Sequence, residues 1–135
     1  MNTRPFLTLD DVKRIGAAAE AEARAHQWNV TIAIVDDGGH LLWLQRLDGA
    51  APISAHIAPA KAHTAALGRR ESRVYEEMIN QGRTAFLSVP EVAGLLEGGV
   101  PVVVDGHCLG AIGVSGVKSS EDVQIARAGI AALGQ

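Results

Sequence analysis

From residue 9 onward, Leu9, Val12, Ile15, Ala19 and Ala23 recur at three- and four-residue intervals with charged side chains between them. That spacing predicts a helix from about residue 9 to 27, and Thr8-Leu9-Asp10-Asp11 supplies its N-terminal cap. The period then changes to two. In "NVTIAIVDDGGHLLWLQR" two β-rich runs flank Asp36-Asp37-Gly38-Gly39, whose glycines allow the positive φ angles of a tight reversal, so a hairpin is expected. Val30, Ile32 and Ile34 share one face of its first strand; Trp43 and Gln45 share a face of the second.

The Ala-rich stretch "ISAHIAPAKAHTAALG" predicts a helix from about Ser54 to Gly68, interrupted in pattern only by Pro59. "ESRVYEEMINQG" reads as a shorter, more polar helix, and residues 82 to 99 lose any period at Pro90 and Gly94. Val100 to Val104 and Cys108 to Ser115 are predicted strands joined through Asp105-Gly106, a type I′ turn signal. Ser119-Ser120-Glu121-Asp122 caps a last helix with the stripe Val123, Ala126, Ile130 and Leu133. Helix, hairpin, helices, hairpin, helix is not a regular βα alternation, which favours an antiparallel sheet with packed helices, an α+β fold.

Composition narrows the function classes. The 135 residues suit one domain, and 47% hydrophobic against 20% charged residues supports a packed core, with disorder confined to the first few residues. Aromatics are only 4%, so the core is built from Ala, Val, Leu and Ile. A net charge of −3 without a Lys/Arg cluster argues against a nucleic-acid partner, and the start carries no apolar leader, so a cytoplasmic protein with no membrane partner is expected. One cysteine forms no internal disulfide and excludes a multi-thiolate metal site. Nucleotide-binding loops, H-E-x-x-H, CxxC and the G-x-S-x-G elbow are all missing.

Chemistry must therefore come from scattered groups. Of the five histidines, His26 falls at the end of the first helix, where capping explains it, and His40 opens a strand beside a turn. His56 and His63 lie seven residues apart, about 10 Å along a helix axis, and cannot share one metal ion. His107 and Cys108 are neighbours on a strand and should face opposite ways. Cys108 has the parity of Ile112 and Val114, which predicts a small buried hydrophobe. His107 has no apolar partner that accounts for it; it either ligates a metal, such as haem iron, or lies exposed. Lys61 rises among Ile57, Thr64, Ala65 and Gly68: either its stem covers alanine methyls, or its ammonium, with Arg69 or Arg70, attracts a carboxylate of haem or of a metabolite.

"VTIAIVDDGGHLLWLQRLDGA", "AKAHTAALG" and "GGVPVVVDGHCLGAIGVSG" followed by "EDVQIARAGIAAL" together resemble the GlcG/HbpS-like family, also called haem-degrading, which includes the C-terminal domain of PduO-type proteins. The resemblance spans nearly the whole chain and implies a single domain over 1–135. It implies a profilin-like fold with a central antiparallel sheet of about five strands and assembly into homo-oligomers. Some relatives bind haem and others accompany catabolic operons, so it implies haem or a small carboxylated ligand as partner. Lys61 and Thr64 in A-K-A-x-T-A and the strand Gly110 to Gly116 carry over by position. The chain departs from the family pattern at His56, Pro59, His107 and Cys108, so no haem ligand is inherited. The cofactor-binding set expected here is Lys61, His63, Thr64, Arg69 and His107, with His107 as metal ligand. An enzyme acting on a small carboxylated metabolite, with a histidine as acid or base, is the alternative.

Overall fold

A computed structural model describes residues 1–134 of the protein. The elements are α1 (Leu9–Ala25), β1 (Thr31–Asp36), β2 (Leu41–Arg46), α2 (Ser54–Gly68), α3 (Ser72–Asn80), β3 (Gly99–Val104), β4 (His107–Ser115) and α4 (Ser119–Ala131), with short 3₁₀ turns at Thr84–Ser88 and Ala132–Gly134. Every strand pair is antiparallel, and the sheet order is β2-β1-β4-β3. The described residues thus form four strands where the family resemblance implied about five.

Two of the local signals have a direct physical counterpart. Thr8 caps α1 reciprocally, its hydroxyl accepting from the Asp11 N–H while the Asp11 carboxylate accepts from the Thr8 N–H. Asp105 and Gly106 both take positive φ, 50° and 78°, as a type I′ turn between β3 and β4 requires. Gly68 does not play the part expected of a helix-ending glycine. The left-handed residue after α2 is Arg69, at φ 56°, whereas Gly68 leaves room for Tyr75, whose Oη would stand 2.0 Å from an added Cβ.

The sheet separates two unlike layers. On one side α1 and α4 bury Val12, Ile15, Ile125 and Ala126 against Val30, Ile32, Ile34, Ile112 and Val114. On the other, α2 lays Ala58, Ala62, Ala65 and Ala66 on Ala33, Val35 and Ala111. Small residues there let helix and sheet backbones meet: a Cβ on Gly113 would lie 2.1 Å from the Ala58 carbonyl, and one on Gly99, its cross-strand partner, 2.2 Å from that of Lys61. This close seat fixes where the side chains of α2 emerge. Residues 89–98, which lack a period in sequence, are held by buried hydroxyls: Thr64 Oγ1 donates to the Ala93 carbonyl at 2.5 Å, and Ser72 Oγ donates to Leu96 and accepts from the Gly99 N–H.

Candidate functional site

A bulge in β4 decides which side chains meet at the end of the β3–β4 hairpin. Val102 pairs with Gly110 but Val103 pairs with Cys108, so Leu109 is an extra residue on β4. Simple alternation would send Cys108 inward with Ile112 and Val114. The bulge gives that place to Leu109, 7% exposed in the α1/α4 core, and leaves Cys108 half-buried on the opposite face beside Val103. Cys108 is therefore not the core hydrophobe expected from its parity. Gly110, at φ 155° with the Val35 carbonyl 2.1 Å from where a Cβ would stand, makes the bulge possible.

The result is a cleft of about 370 Å³ lined by Arg4, Arg69, Val103, Gly106, His107 and Cys108. Its two guanidiniums come from opposite directions. Arg4 reaches in from the segment before α1 and pairs with Asp37. Arg69 is aimed by its left-handed backbone at the β1–β2 turn, where it donates to the Asp37 and Ala66 carbonyls, with its other terminal nitrogen 3.9 Å from the Asp37 carboxylate. The Arg4 hydrogen bond holds the Asp37 carboxyl below its usual range against the opposing effect of burial, with lesser help from the charges of Arg4 and then Arg69. Two cations face one carboxylate, so the cluster keeps a net positive charge. His107 is exposed, and its imidazole has no partner among the described residues.

Of the residues expected in one site, the structure brings Arg69 and His107 together and places the others elsewhere. Lys61 is 3% exposed. Its ammonium donates to the Val114 carbonyl at 2.9 Å and to Asp122 Oδ2 at 3.1 Å, tying α2 to β4 and to the first turn of α4. This corrects the expectation that Lys61 offers its charge to a ligand beside α2: the cation already has a protein anion. Thr64 is buried and engaged with Ala93. His63 lines a separate cleft. His40 is exposed and pairs with Asp36; His26 stacks on Trp28 with ring centroids 4.3 Å apart instead of meeting helix carbonyls. Sequence reasoning missed Arg4 and the side taken by Cys108, and the one available signal was Gly110 inside a strand, the residue that permits a bulge.

Burial drives the Asp122 carboxyl up to about 6, outweighing the attraction of Lys61 and the hydrogen bond from the Val117 N–H. A raised folded value means that the folded protein holds a proton which the unfolded chain has released above its ordinary 3.8. The contribution of this group to stability is thus fully present below pH 3.8 and lost as pH rises through about 6. Denaturant unfolding across that window should show this slope in the parent protein and not in Asp122→Asn.

An antiparallel sheet between two helical layers, with a basic, histidine-bearing cleft at one hairpin end, defines an α+β protein. Residues 7–131 match the family described as haem degrading protein HbpS-like, and the chain belongs to that family. It is 56% identical to Protein GlcG of Escherichia coli K12 over 115 residues, 85% of each chain. Among solved structures it is similar to a double mutant of Streptomyces reticuli HbpS, with 33% identity and TM-score 0.90 over 100% of this chain and 92% of that one. It is also similar to the PduOC:heme complex, with 28% identity and TM-score 0.85 over 95% of each chain. No helix among the described residues is long and apolar enough to cross a membrane.

Proposed function

We propose that the chain, acting as one profilin-like domain, binds haem or a related carboxylated tetrapyrrole in the cleft at the end of the β3–β4 hairpin. The observation that carries this reading is the convergence of Arg4, Arg69 and His107 on one cleft. The donor set fits the group. Guanidiniums match carboxylates in planar, charge-assisted pairs, and a neutral imidazole is a common axial ligand of haem iron. Arg4 and Arg69 would hold the propionates, His107 the iron, and Val103, 52% exposed, an apolar edge of the ring. Bound haem would supply iron redox chemistry at that position; the protein's part is to bind, orient and shield it.

At about 370 Å³ the cleft encloses only one edge of a macrocycle. The remainder would be covered by a second copy in the homo-oligomer that the family resemblance implies. Support also comes from the likeness to the PduOC:heme complex and from the haem-degrading description of the family. The alternative, a small carboxylated metabolite held by the same arginines with His107 as acid or base, rests on the same cleft.

Titration with haemin distinguishes them. The haem reading expects a saturable, shifted Soret band, an altered spectrum in His107→Ala, and binding weaker by roughly tenfold or more in Arg69→Ala, the effect of losing one charge-assisted contact. No saturable Soret change, or identical titrations in all three proteins, would overturn it.

A further inference from the structure

A second cleft lies on the other side of the β1–β2 turn, and its chemistry is the reverse of the first. About 290 Å³ in volume, it is walled by Val35, Leu41, Pro59, Ala60 and Ala93, with His63 and Glu91 as its only titratable groups among the described residues. The His63 ring is fixed from behind. Its Nδ1 lies 3.0 Å from the Gly39 carbonyl, which can only accept, so Nδ1 carries the proton and in the neutral ring Nε2 is left as a bare acceptor.

The turn is shaped around this ring. Gly39 has φ 82°, and a Cβ there would stand 2.5 Å from His63 Nδ1, so both the backbone conformation and the contact require glycine. Neither Nε2 of His63 nor the Glu91 carboxylate has a partner among the described residues. The cleft thus presents an acceptor and a negative charge on apolar walls, with no Lys or Arg among its lining residues to receive an anion.

We propose that this cleft is a second ligand site, taking a small apolar molecule that carries a protonated amine, with the ammonium shared between Glu91 and His63 Nε2. A volume at the low end of the range for small-molecule pockets limits the apolar body to about one ring. Burial of that body against Leu41, Pro59 and Val35 supplies affinity, and the two acceptors select cations over carboxylates. The site does not rest on the haem reading, because it uses none of the residues of the basic cleft.

Benzylamine and benzoate, with the same ring and opposite charge, are suitable probes, read by the ring ¹⁵N resonances of the full-length protein. Expected are a His63 spectrum with the proton on Nδ1, a saturable shift of its Nε2 signal with benzylamine, and no such shift with benzoate. Glu91→Gln, an exposed position that leaves the core intact, should weaken benzylamine binding by roughly tenfold or more. Arg69→Ala should leave it unchanged. A His63 proton on Nε2, equal response to both probes, no saturation at millimolar benzylamine, or full binding in Glu91→Gln would each overturn the proposal.

Discussion

Lys61→Met is expected to lose about 3–5 kcal/mol of stability, the range seen when one member of a buried ion pair is removed. The substitution keeps a long apolar stem but strands the Asp122 carboxylate, 2% exposed, with only the Val117 N–H as partner. It also removes the donor from the Val114 carbonyl. The double variant Lys61→Met/Asp122→Asn should recover more than half of the loss, because the buried charge is gone while Asn still accepts from Val117. Equilibrium denaturation at pH 7 measures both. If Lys61→Met unfolds at the parent midpoint, the ammonium is not where the structure puts it. The same variant bears on function in the haemin titration, since a side chain committed to Asp122 should leave ligand affinity unchanged in whatever fraction of the variant stays folded.

The second large effect is expected at Gly113. Adding one methyl group there forces it against the Ala58 carbonyl at 2.1 Å and the Ala62 nitrogen at 2.6 Å. These are backbone atoms of α2 and cannot turn aside as a flexible side chain would. Gly113→Ala should therefore cost about 3 kcal/mol or more, at or beyond the upper end of ordinary overpacking. Ala62→Gly should not rescue it, because the shortest contact is to a main-chain oxygen. A stability within about 0.5 kcal/mol of the parent, the scale of a neutral surface change, would mean that α2 rides higher on the sheet. The seat of α2 would then no longer fix the position of Arg69.

Local pattern revealed most of the secondary structure. The capped α1, the two hairpins, the Ala-rich α2 and the stripe of α4 all follow from signals spanning a few residues, where covalent neighbours dictate the period. Three features lay outside that reach. The Lys61–Asp122 pair joins residues 61 positions apart, and nothing in either neighbourhood specifies the other. The side taken by Cys108 depends on one extra residue in β4, which inverts every side chain beyond it, so parity counted from Ile112 gave the wrong face. Arg4 stands in a segment without periodicity, and its role exists only because the chain folds back onto Asp37. The expected ligand set was accordingly divided: Arg69 and His107 share a cleft, Lys61 and Thr64 hold the fold together, and His63 faces a cleft of its own.

A crystal structure of the protein loaded with haemin would show where the ligand sits. The macrocycle is expected at the end of the β3–β4 hairpin, its iron on His107 and its carboxylates facing Arg4 and Arg69. A macrocycle bound elsewhere, with that cleft vacant, would contradict that expectation.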